Sequence, residues 1–269
     1  MRELGVDLGV VAEWFNVEST NPYTLVRVPD EQCNVWSEAL GIAIRRCYVG
    51  DSELLSGVGR VGTPSVVLVD AKLPDPGSVM SGDFGEILVL LYQASHELNL
   101  ELMAPMRWRL KQDRLKPAPG SDVVHFHLPS WPDASEDDRI YCAEVKSKAT
   151  SGSSTPIEDA IADCEKDRTS RLAKTLLWLR DRSLFGDLGT VTTDHLDRFI
   201  NASEFPPADK RFSAVAVICE SLLEKELLSA PLEQSTDYTL VVIGVPSLKQ
   251  RYEAAFAAAR NAVPESGVE

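Results

Sequence analysis

The sequence lacks the signatures that would settle its chemistry at once. It contains neither GxGxxG nor GKS/T, so nucleotide hydrolysis on a phosphate loop is not expected. No apolar run approaches the roughly 20 residues that cross a bilayer, and a membrane is not an expected partner. The opening MRELGVDLGVVAEW puts acids where a signal peptide needs its apolar core, which argues against secretion. Cysteine is sparse: five residues, at 33, 47, 142, 164 and 219, with no CxxC spacing. That pattern argues against a structural zinc site and for reduced thiols in a cytoplasmic protein. There is no internal repeat, no low-complexity tract and no assignable Ser-His-Asp or Cys-His nucleophile. Basic charge is also short, with 27 Lys and Arg against 41 Asp and Glu, a net charge of −14. A free-standing nucleic-acid binder is usually basic, so any nucleic acid would have to meet a local patch that overrides the total.

What is present is an ordered run of elements in 269 residues, enough for one sizeable domain or a core with an appended lobe. Strands are expected at 22–29, 64–74, 101–111, 122–129 and 139–148, and in FSAVAVICE and YTLVVIGV, the last two apolar enough to be buried on both faces. Helices are expected at 36–48, 83–98 (with Asp83 as its cap), 156–182, 194–200 and 247–263. LPDPGSVMSGDFG, rich in Pro and Gly, reads as a hinge. It divides an N-terminal α/β lobe, 1–79, from a main domain, 80–269. The order of the main domain (helix, three strands, helix, strand, strand, helix) predicts an α/β fold, a mixed sheet flanked by helices.

The chemistry concentrates in RIYCAEVKSK, residues 139–148. Side chains alternate along a strand, so Glu144, Lys146 and Lys148 share one face. Asp122 follows the PAPGS turn and opens the preceding strand; if the two strands are neighbours, Asp122 and Glu144 converge. Two carboxylates, a backbone carbonyl and water make a hard oxygen site suited to Mg²⁺ or Mn²⁺. Lys146 beside them could orient water and offset charge on a pentavalent phosphate. Glu86, near the start of the helix at 83–98, is a third acid, though the helix dipole alone would favour an acid there. His125 and His127 should point away from Asp122 and read as structural. Lys148, one step further out, reads as solvated. Arg107, Arg109, Lys111, Arg114 and Lys116 in RWRLKQDRLK, together with Arg168 and Arg171, are candidates for a basic DNA groove. Trp108 could stack on a base but reads more simply as a buried indole.

GSD at 120–122, EVK at 144–146 and the helix acid Glu86 together resemble the PD-(D/E)xK nuclease superfamily. The resemblance implies a restriction-endonuclease-like core, with Asp122, Glu144 and Glu86 as metal ligands and Lys146 as the catalytic lysine. More narrowly, GDFGEILVLLY, RLKPAPGSDVVHFHL and IYCAEVKSKAT look like the HamA family, the nuclease subunits of the Hachiman anti-phage system. That resemblance implies a metal-dependent DNA nuclease held in complex with HamB, a superfamily 2 helicase. Two other readings stay open: a catalytically inactive DNA-binding or assembly subunit, and a restriction or repair nuclease with no helicase partner.

Overall fold

The computed structural model describes residues 2–61, 64–97 and 99–263. The last residue expected in the helix at 83–98 and the last six of the domain expected at 80–269 lie outside the described residues. The strands are β1 (Asn16–Ser19), β2 (Thr24–Arg27), β3 (Leu102–Met103), β4 (Val123–His127), β5 (Arg139–Lys148), β6 (Asp209–Cys219) and β7 (Thr239–Val245). The helices are α1 (Leu8–Ala12), α2 (Asp30–Tyr48), α3 (Asp51–Val61), α4 (Ser65–Asp70), α5 (Ser78–His96), α6 (Pro156–Lys166), α7 (Leu172–Ser183), α8 (Thr193–Ile200), α9 (Glu220–Glu226) and α10 (Leu248–Asn261). Among the described residues the strands form one seven-stranded sheet in the order β1-β2-β7-β6-β5-β4-β3. β2, β7, β6 and β5 run parallel; β1, β4 and β3 pair antiparallel to their neighbours. The expected α/β fold is therefore present: a mixed sheet flanked by helices, consistent with a restriction-endonuclease-like architecture.

Alternation along the central strands assigns the two faces. Ala143, Val145, Val215, Val217, Val241 and Ile243 pack with α2, α5 and α10 in one core. The opposite face of β6 presents Ala214 and Ala216, small enough for Ile157, Ala160 and Cys164 of α6 to lie close over the sheet. Next to it, Val124, Phe126, Ile140 and Cys142 meet Leu172, Leu176 and Leu179 of α7 and Leu196 and Phe199 of α8. Burying apolar side chains on both faces is what holds a sheet of this kind between its helices.

Several local expectations are corrected. Residues 64–74 hold the short helix α4, not a strand. Its valines favour strand conformation in general, but only Val69 is buried, while Val66 and Val67 face solvent; no sheet edge is there to use them. Of the strand expected at 101–111 only Leu102–Met103 pairs, because Pro105 follows and a 3₁₀ turn takes up Arg107–Leu110. α5 begins at Ser78, so Asp83 lies inside the helix and is buried rather than capping it. The boundary drawn at 79/80 thus falls in the first turn of α5; β1 and β2 from before it complete the sheet, and α2 packs on α10. Among the described residues no helix is long and apolar enough to cross a membrane.

His125, fully buried in β4, makes a pH prediction. Burial pushes its imidazole down from 6.5 to about 3. The unfolded chain takes a proton below 6.5 that the folded chain refuses until about 3. Stability therefore falls with pH across that window, by about 1.4 kcal/mol per pH unit well below 6.5. Between pH 7 and 5, wild type should lose about 2 kcal/mol more than His125→Phe. Urea unfolding of both proteins at the two pH values checks this.

Candidate active site

The site grows from the antiparallel pairing of β4 with β5. Val123 pairs with Ala143, so Asp122, one residue before β4, arrives opposite Glu144. Its carboxylate continues the ladder: Oδ2 accepts a hydrogen bond from the Val145 N–H at 2.9 Å. The turn that delivers it needs glycine. Gly120 has φ +94°, and a Cβ there would sit 2.5 Å from Thr175 Oγ1. Arg107 braces the same turn from within: its guanidinium donates to the Ala118 carbonyl at 2.6 Å, the Pro119 carbonyl at 3.2 Å and the Ser121 carbonyl. It also lies 3.7 Å from Asp122 Oδ1.

Glu144 is buried and held by two cations. Lys146 donates to Oε1 and Arg171 to Oε2, both at 2.6 Å. Lys146 also meets Asp163 Oδ2 at 2.6 Å. Arg171 reaches Asp167 Oδ1 at 2.6 Å and the Asp163 carbonyl at 2.7 Å. Ser121 joins the network by donating to Asp167 Oδ1 at 2.8 Å. Asp163, Asp167 and Arg171 stand at i, i+4 and i+8, a spacing visible in the sequence whose direction was not. A π-helical turn over Asp167–Arg171 joins α6 to α7 there. Such turns recur at functional sites.

Glu86, buried on α5, accepts a hydrogen bond from Trp108 Nε1 at 3.1 Å. Trp108 is thus a buried indole that positions an acid. Beyond it, Asp83 binds Lys111 at 2.6 Å and accepts from the Tyr48 hydroxyl.

The carboxylates press on one another. Burial raises Glu144 to about 8, and the charge of Asp122 adds to that against the pull of Lys146 and Arg171. Burial likewise raises Glu86 well above its ordinary value, and Asp122 again adds. Asp122 itself is raised by burial, offset in part by Arg107 and the Val145 N–H. Burial alone would lower the Lys146 ammonium, but hydrogen bonds to Asp163 and Glu144 outweigh it and raise it. Those lysine contacts, with Lys166, hold Asp163 down at about 2 despite its partial burial. Lys146 is therefore a fixed cation in this arrangement.

Hard carboxylate oxygens that raise one another's pKa are the donor set a divalent cation suits. Asp122 Oδ1 lies 3.7 Å from the Arg107 guanidinium, beyond hydrogen-bond distance. As the side chains stand, no three His, Cys, Asp or Glu residues among those described are gathered closely enough to hold a metal. Arg171 and Lys146 occupy the Glu144 oxygens instead.

The basic residues divide. Arg107, Arg109 and Lys111 turn inward: Arg109 donates to the Arg46 carbonyl at 2.7 Å and pairs with Asp187, and only 3–5% of these three side chains is exposed. Their charge is used in holding the turn, α2 and α5 together, with the Lys111 ammonium taken up by Asp83. Arg114 binds Asp75 at 2.6 Å, Arg168 binds Asp237 at 2.9 Å, and Lys116 stands 77% exposed. Lys148, expected in solvent, is buried and paired with Glu226 at 2.7 Å, because the chain after β5 folds back over it and the Ser154 carbonyl also accepts from it. His125 and His127 alternate with Val124 and Phe126 along β4 and so lie on the face opposite Asp122, as expected.

A search of curated proteins found no match. A family model described as HamA matches residues 10–259, a span that takes in β1, the carboxylates, Lys146 and all but the end of α10. The chain belongs to the HamA family.

Proposed function

We propose that this component of Hachiman defence is a DNA nuclease dependent on Mg²⁺ or Mn²⁺, working with a superfamily 2 helicase subunit of the HamB kind. The observation that carries the reading is the meeting of Asp122, at the head of β4, with Glu144 and Lys146 of the adjoining β5, and Glu86 near enough to feel the charge of Asp122. Asp122 and Glu144 would hold the cation, with Glu86 assisting. When bound, such an ion supplies Lewis-acid polarisation of a phosphoryl oxygen and a more acidic water. Lys146, kept protonated by Asp163 and Glu144, offsets the charge that builds on the phosphate in the transition state and orients water by donating to it. Lys116 and Arg168 keep solvent access for phosphate contacts.

Linear, nicked and supercoiled plasmid, incubated with Mg²⁺, Mn²⁺ or EDTA, tests this directly, with and without the helicase and ATP. Cutting with either metal and none in EDTA is the expected result. A second reading, an inactive DNA-binding or assembly subunit, draws on Glu144 being capped at both oxygens by cations. It wins if no metal, helicase or ATP combination yields cutting while DNA and partner still bind.

The capping itself gives a prediction. A charge-assisted hydrogen bond is worth about 1.5–3 kcal/mol, so a cation arriving at Glu144 must displace Arg171 at that cost. Arg171→Met should therefore bind Mn²⁺ about tenfold more tightly or better, measured by calorimetric titration.

A further inference from the structure

The amino ends of the parallel strands carry a cavity of about 210 Å³. Its floor is the start of β5 and β6, with Tyr141 and Arg211 side by side in register. The end of α5 roofs it with Tyr92, Gln93 and the helix's terminal Glu97. Tyr141 comes three residues before Glu144, so the two side chains project from opposite faces of β5. None of Glu86, Asp122, Glu144 and Lys146 lines this cavity. Two of its residues are unsatisfied. Tyr141 is buried, and its hydroxyl has no hydrogen-bond partner among the described residues. The side-chain oxygen of Gln93, Oε1, is buried and lacks one as well. Buried polar groups are ordinarily paired, and leaving them unpaired costs stability. These two ask for opposite things: the hydroxyl has a proton to give, and the amide oxygen can only receive one.

We propose that this cavity binds one free nucleobase or nucleoside by the hydrogen-bonding edge of its base, with Tyr141 donating and Gln93 accepting. The molecule that meets both groups carries an N–H beside a carbonyl oxygen or a bare ring nitrogen, which is the edge every base presents. The rings of Tyr92 and Tyr141 give the cavity aromatic walls, the surface on which flat heterocycles rest. Its volume lies below the roughly 300–1,000 Å³ of clefts for larger ligands, which suits a single ring system. The charges around it do not favour an anion. Arg211 is paired with Asp209 at 2.8 Å, and Glu97 stands at the negative end of a helix of 19 residues. A base is therefore expected to enter without a phosphate. The proposal does not rest on the nuclease reading.

The experiment titrates the full chain, in EDTA, with adenosine, inosine, cytidine and uridine in turn, followed by calorimetry, with ribose and the matching 5′-monophosphates as controls. Tyr141→Phe removes only the hydroxyl, and Gln93→Met removes the amide while keeping a good helix former. Saturable binding of at least one nucleoside, and none of ribose, is expected. Each variant should weaken that binding by about tenfold or more, because a polar group of the base then loses its partner on leaving water. Neither variant should melt lower than wild type, since the group it removes is unpaired in the folded chain. The monophosphate should bind no tighter than its nucleoside. Several outcomes overturn the proposal. If no nucleoside binds, ordered water serves the two groups. Binding unchanged in either variant places the base elsewhere on the protein. A monophosphate bound tenfold more tightly than its nucleoside marks a phosphate site. A lower melting temperature in both variants means that the hydroxyl and the amide are paired within the fold. Cleavage of DNA does not enter the measurement, so the failure of either reading leaves the other standing.

Discussion

Lys146→Ala is expected to lower metal-dependent DNA cleavage by about 10²–10³-fold, the usual cost of deleting one group that stabilises transition-state charge. The ammonium is held on two sides, by Glu144 and by Asp163, and hydrogen bonds to them raise its pKa. It cannot serve as a base in that state; in the proposed reaction it would act as a fixed positive charge beside the phosphate. The melting temperature should hardly move, because Lys146 is 29% exposed and partly solvated ion pairs contribute little, about 0–1 kcal/mol. Glu144→Gln should lose as much cleavage by removing a ligand charge. The double variant should be no worse than the poorer single one, since groups that act as a unit are not additive. Cleavage rates for the three variants, with melting temperatures alongside, check this. Rates equal to wild type in both single variants would make Glu144–Lys146 a structural ion pair and remove the catalytic assignment.

Arg198→Met should produce the largest loss of stability. Arg198 and Asp138 are each 1% exposed and paired at 2.6 Å. The guanidinium also donates to the carbonyls of Ser135 at 3.0 Å and Pro206 at 2.8 Å. It thereby fastens the loop before β5 and the chain before β6 to α8. Removing one partner of a buried pair costs about 3–5 kcal/mol, because the other charge is left without its counter-ion. For a chain of this size that corresponds to a fall in melting temperature of roughly 6–20 °C. A calorimetric scan reads it directly, and a shift below about 3 °C would mean that solvent reaches Asp138 in the variant. Asp138 closes the acidic loop SWPDASEDD, 130–138, and the structure buries it there as an anchor.

The elements that were legible are those whose side chains repeat with a clear period. β5, β6 and β7, α5 and the helices from 156 to 183 follow from alternation or helical spacing. The candidate site was legible for the same reason: strand alternation puts Glu144 and Lys146 on one face, and a glycine turn places Asp122 at the head of the adjacent strand. Misreadings arose where local preference and tertiary position part. Val66 and Val67 favour a strand, but no sheet edge receives them, and Asp83 resembles a cap until the helix is seen to start five residues earlier.

Charge was the least legible property. RWRLKQDRLK reads as a basic surface, yet Arg107, Arg109 and Lys111 are structural cations, bonded to carbonyls and to Asp83. Arg171, a groove candidate in the sequence, instead caps Glu144, and Asp163 and Asp167, which nothing in the sequence singles out, join it around Glu144 and Lys146. By itself, then, the sequence determined the fold class and the shared face of Glu144 and Lys146, both consequences of short-range periodicity, while the family likeness rests on the motifs around them. Only the tertiary structure decided which charges distant in sequence face one another, because a charge's partner is set by how helices lie on the sheet. Nothing in the residue's own neighbourhood records that.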